Sequence, residues 1–72
     1  MDTLKILGQR VKALRQERNL SQGEMSEWME KTLRHYQRVE NGEVNIPALT
    51  LCKLADYFGV TTEYLLGRCD RR

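Results

Sequence analysis

One proline, one histidine and two cysteines in 72 residues leave several kinds of protein without material to build on. Cys52 and Cys69 stand apart, and a single histidine does not complete a set of ligands at metal spacing, so no metal site is expected. No nucleophile lies near a base and no glycine-rich phosphate loop is present, which leaves catalysis and cofactor binding without candidates. Aromatic residues make up only 7%. No apolar run is long enough to span a membrane and no signal peptide is recognisable, so the expected compartment is the cytoplasm. Cys52 falls mid-helix on an apparent apolar stripe and Cys69 in a polar tail; both read as free thiols.

What is present is the mixture of an ordinary helical protein, 40% apolar and 31% charged. A chain of this length buries only about 60% of its unfolded surface, so its single domain must be mostly regular structure. Residues 1–67 carry helical periodicity, and 68–72 form a polar tail expected to fray. No second domain, repeat or linker is apparent.

Residues 20–42, LSQGEMSEWMEKTLRHYQRVENG, organise the rest. Ser21 and Glu24 form a capping box, and Leu20 and Met25 occupy hydrophobic-staple positions, predicting a helix over 22–29. Thr32 then caps a second helix, about 33–40, for which the Asn41-Gly42 pair supplies left-handed residues. At ~100° per residue, Arg34, Gln37 and Arg38 share one face and Tyr36 and Val39 the other. Met25, Met29 and the small Ser26 suit a steep crossing, which is helix-turn-helix spacing.

A longer helix precedes this pair, capped by Asp2 or Thr3, with Leu4, Leu7, Val11 and Leu14 inward and Asn19 at its end. Its basic residues, Lys5, Arg10, Lys12 and Arg18, read mostly as a solvated face. A loop over 41–47 leads to a core helix from about Ala48 to Phe58, with Leu51, Leu54, Ala55 and Phe58 at core spacing and Gly59 closing it. Thr61 caps a last short helix, with Val60 and Leu65 as staple and Gly67 as stop. The fold class is therefore all-α, five helices.

Net charge is only +2, but its distribution is uneven. Lys31, Arg34, His35 and Arg38 occur with no acid among them, whereas Glu24, Glu27 and Glu30 precede them. Arginine can reach guanine O6 and N7, and glutamine can pair with adenine, from a helix in the major groove. Gln22, Thr32 and Leu33 sit where helix starts could meet phosphates or base edges. Lys31 could lay its stem over the interior and lift its charge toward a phosphate. Taken alone, such a face is more often merely solvated.

The pattern resembles the Cro and lambda-repressor-like helix-turn-helix family, also called the XRE family. The likeness rests on LSQ-x-E at 20–24, RVENG at 38–42, IP at 46–47, LADYFGV at 54–60 and YLLG at 64–67. It implies the lambda-repressor-like fold and a duplex-DNA-binding transcriptional regulator, a repressor by preference. It places usual contacts at Gln22, Thr32, Leu33, Arg34 and Arg38, a phosphate-side loop at Asn41, and an ion pair between Arg15 and Glu40. For Asn41, plain turn chemistry is an equal alternative. Two positions depart: where the family turn has a glycine and then a buried aliphatic residue, this chain has Glu30 and Lys31. Glu30 implies either local strain or a differently shaped turn.

Chain economy suggests a weak homodimer on a two-fold symmetric operator, with Tyr64, Leu65 and Leu66 as candidate interface. The rival reading is a protein-interaction or antitoxin-like module of the same fold. Trp28, on the outer side of the second helix, is either a contact for such a partner or a cover for the junction with the first helix. Tyr36 is expected in the core with its hydroxyl at the rim, and His35 off the reading face.

Overall fold

The computed structural model describes residues 2–72. Five α-helices follow in order, α1 Thr3–Glu17, α2 Gln22–Met29, α3 Leu33–Glu40, α4 Ala48–Phe58 and α5 Thr62–Leu65, with no strand among the described residues. Four start on a side chain that accepts from the first turn. Asp2 does this for α1, Ser21 for α2 with Glu24 completing the capping box, Thr32 for α3 and Thr61 for α5. Only α4 begins without one, on Pro47.

All five ends share one geometry. A left-handed residue, Asn19, Glu30, Gly42, Gly59 or Gly67, lets the next N–H reach back to the carbonyl five residues earlier. The Asn41-Gly42 expectation is corrected in one respect: Asn41 is right-handed at φ −80°, and Gly42 alone makes the reversal. Asn41 still bonds back to the Gln37 carbonyl as a helical residue, and Gly42, with no Cβ, enters the left-handed region freely.

The core joins Leu7, Val11 and Leu14 of α1 to Met25, Tyr36, Leu54, Ala55, Phe58 and Leu65. Helices α2 and α3 pack chiefly on each other, and α3 also lies on α1. At Gly8 that second contact is backbone on backbone. A Cβ built on Gly8 would stand 2.4 Å from the Glu40 carbonyl oxygen and 2.6 Å from that of Val39. Gly8 thus sets how closely α3 seats.

Four expectations about the periphery are corrected. Leu65 is fully buried, so it is a core residue and no part of an interface. Cys52 is exposed, because α4 turns Leu51, Leu54 and Ala55 inward. The tail is tied down rather than frayed: Arg10 donates to the carbonyls of Tyr64 and Cys69 and to Asp70, and Arg72 pairs with Glu17. Arg10 is therefore half-buried and not part of a solvated face, whereas Arg18 is exposed and also donates to the Tyr57 carbonyl and lies over the Tyr57 and Phe58 rings.

Candidate nucleic-acid interface

The turn between α2 and α3 keeps its left-handed residue although no glycine is there. Glu30 adopts φ 58°, ψ 40°, and its N–H and that of Lys31 bond back to Glu27 and Ser26. Of the two alternatives for Glu30, the structure takes the strained one, and the crossing of the helices is kept. Ser26 is buried in it and donates to the Gly23 carbonyl at 2.8 Å. Lys31 is exposed.

Helix α3 divides as its periodicity demands. Tyr36 and Val39 are at 0% and 2% exposure, while Thr32, Leu33, Arg34, Arg38 and Asn41 are exposed. Leu33 remains 46% exposed at the start of the helix, a large apolar side chain left partly open. Gln22 and Gln37 are half-buried beside them, as is His35. The structure thus brings Gln22, Lys31, Thr32, Leu33, Arg34, Gln37 and Arg38 to the α2–α3 side of the molecule. Asn41 follows at the C-terminal end of α3.

Behind this surface lies a buried polar network. Arg15 Nε donates to Glu40 Oε2 at 2.7 Å, and another of its nitrogens reaches the Leu20 carbonyl at 2.8 Å. Tyr36 Oη donates to the same Glu40 oxygen, so the hydroxyl expected at the rim is inside the network. Gln22 Nε2 donates to Glu40 Oε1 at 3.0 Å, and Gln37 Nε2 donates to Gln22 Oε1 at 3.2 Å. An unbroken chain of bonds therefore runs from Arg15 in α1 to Gln37 in α3.

Electrostatics follow from these bonds. Burial pushes the Glu40 carboxyl up, but donors on Arg15, Tyr36 and Gln22 outweigh it and hold it below the ordinary range. Its hydrogen bond to Glu40 raises Arg15 further, despite burial, and burial together with Glu40 raises the Tyr36 phenol. Glu40 is thus a carboxylate and Tyr36 a donor throughout the physiological range. The ion pair joins α1 to α3 and fixes the latter's roll.

Sequence reasoning missed the link from Gln22 to Gln37 and the close seat at Gly8, both set by packing between helices. It also named no aromatic partner for Trp28: the indole is 36% exposed and its ring lies 4.7 Å from that of Tyr57 of α4, tilted by 36°. With Met29, Glu30, Thr50 and Lys53 it lines a cleft of about 310 Å³.

Comparison with known proteins agrees with this geometry. A helix-turn-helix family model matches residues 11–65. Among solved structures, the DNA-binding domain of BldD from S. venezulae superposes with a TM-score of 0.72 at 26% identity, over 92% of this chain and 99% of that one. No curated protein matches. The matched segment holds α2 to α5 entire, and the chain belongs to the XRE-family helix-turn-helix proteins.

Proposed function

We propose that the protein is a transcriptional regulator that binds duplex DNA sequence-specifically by placing α3 in the major groove. The observation that carries this is the face of α3: Arg34 and Arg38 are exposed side by side, with Gln37 between them and no acid among them. An α-helix is about 10–12 Å across with its side chains, which fits a major groove about 12 Å wide. The similarity to the BldD DNA-binding domain supports the same reading.

Roles follow from position. Arg34, Gln37 and Arg38 read base edges, and Thr32 and Leu33 at the helix start meet a base edge or a thymine methyl. Lys31 and Asn41 approach phosphates from either end of α3. Gln22 adjoins this surface from the first turn of α2. The site is a two-fold symmetric operator bound by a weak homodimer, and the outcome is repression inside the cytoplasm.

Selection of bound duplexes from a random library tests this. An inverted repeat with half-sites about one helical turn apart is the expected product. Arg34→Ala or Arg38→Ala should each relax one position and weaken specific binding roughly tenfold, within the ~1–3 kcal/mol of a bidentate arginine. Binding that stays sequence-blind and salt-labile in the unaltered protein would sink the proposal.

A second reading, a protein-interaction module, is favoured by one observation, the cleft beside half-open Trp28. It requires function to survive loss of Arg34 and Arg38 and to fail on Trp28→Ala.

A further inference from the structure

Glu40, as a carboxylate, can only accept hydrogen bonds. Arg15 and Tyr36 donate to Oε2, and Oε1 accepts from Gln22 at 3.0 Å and, more weakly, from Arg15 at 3.4 Å. Gln22 must therefore turn its NH2 group inward and its carbonyl oxygen toward α3. Against that oxygen Gln37 can place only its own NH2 group, as the 3.2 Å contact shows. The consequence is directional: the Gln37 carbonyl oxygen and one remaining N–H are left for whatever lies outside.

We propose that Gln37 is the adenine-specifying residue of the DNA-binding face, and that Gln22 is a positioning residue that sets the orientation of the Gln37 amide. The proposal rests on the DNA-binding reading above and gives Gln22 a role besides the phosphate contact expected of it. An outward oxygen accepts from adenine N6 while the spare N–H donates to N7. Guanine presents two acceptors, O6 and N7, so one of them would oppose the Gln37 oxygen. Cytosine offers only the N4 donor, satisfying half of the pair. The orientation is held before DNA arrives and one N–H is kept by Gln22, so an isolated glutamine's freedom to turn both N–H donors toward guanine O6 and N7 is removed.

Two measurements separate this relay from the DNA-binding reading. In the free protein, side-chain NH2 resonances of Gln37 are compared by NMR between the unaltered chain and Gln22→Met, a change that keeps the length of the side chain and removes the amide. The Gln37 pair should move and its exchange with water should quicken; unchanged resonances overturn the relay whatever DNA does. Random-duplex selection then follows with the unaltered protein, Gln22→Met and Gln37→Glu. Adenine should be enriched at one position per half-site roughly tenfold over guanine, falling to about threefold or less in Gln22→Met with other positions unchanged. Gln37→Glu should move that preference to cytosine, whose N4 a carboxylate accepts. A uniform loss across all sequences in Gln22→Met would instead make Gln22 a phosphate contact only and overturn its positioning role. If the unaltered protein selects no sequence while the NMR relay is intact, the DNA-binding reading fails and the adenine assignment falls with it.

Discussion

Glu30 occupies a backbone conformation, φ 58° and ψ 40°, that glycine enters without a steric penalty. Three of the five helices end on glycine in that region and one on asparagine, so the turn of the helix-turn-helix is where this chain departs from its own habit. A left-handed non-glycine residue costs roughly 1 kcal/mol or more. Glu30→Gly should therefore raise stability by about 0.5–1 kcal/mol, after the added freedom of the unfolded glycine is subtracted, readable as a higher urea midpoint. An unchanged or lower midpoint would show that the Glu30 side chain supplies a compensating contact. This position was legible in the sequence as a conflict, because a turn residue can be judged from its neighbours. Its resolution was not, since the strain is held in place by the packing of α2 on α3.

Glu40 gives the clearest dependence on pH. Its carboxyl is held below the ordinary value of 4.5 because three donors outweigh the opposing effect of burial. The folded pKa lies below the unfolded one, so the associated stability is fully present above about pH 4.5 and is lost as pH falls through the folded value. Acid unfolding should therefore begin below that point. Tyr36→Phe removes one donor from a charged acceptor and should cost about 1.5–3 kcal/mol while moving the acid limb of the stability curve upward. Stability independent of pH in this window would show that the carboxyl is not coupled to folding. The Arg15–Glu40 pairing was expected from family likeness, whereas the Tyr36 hydroxyl was misplaced because periodicity gives the side of a helix on which a ring lies and not the partner of its tip.

At the scale of elements, start and stop signals were readable because caps are local. Ser21 with Glu24, Thr32 and Thr61 form their bonds within three residues, and all of these are made. What escaped was chemistry between elements: Arg10 reaching the tail, Arg18 reaching Tyr57, Trp28 lying against Tyr57, and the bare backbone contact at Gly8. Gly8 is instructive, since glycine in a helix interior costs about 1 kcal/mol against alanine and so looks like a weakness in isolation. Here the added methyl would collide with two backbone carbonyls at 2.4 and 2.6 Å, which flexible side chains cannot relieve. The collision outweighs the propensity gain. Gly8→Ala should destabilise by about 1–3 kcal/mol and displace α3, weakening DNA binding beyond what the loss of folded protein explains. A stabilised Gly8→Ala with unaltered DNA affinity would mean that α1 and α3 can part freely.

Across the whole molecule, charge and apolar surface are arranged for a partner that supplies the missing order. A net charge of +2 is too small for strong bulk attraction to DNA, so the basic residues of α3 must act locally. Apolar surface is equally limited. Leu65 is in the core, Tyr64 is covered by Arg10 and Arg72, and half-buried Leu66 is what remains of the expected dimer surface. Such a patch is far below the ~1,200 Å² of stable interfaces, so the free chain should sediment as a monomer at micromolar concentration and pair only when DNA aligns two copies. On an inverted-repeat duplex, two copies should bind cooperatively. Leu66→Glu should then lower cooperativity by roughly tenfold, equivalent to about 1.4 kcal/mol, while affinity for an isolated half-site stays the same. Equal losses on half-site and full site would place Leu66 in folding rather than pairing. One copy bound to the full repeat at saturation would exclude the dimer altogether, leaving α3 to act from a single half-site.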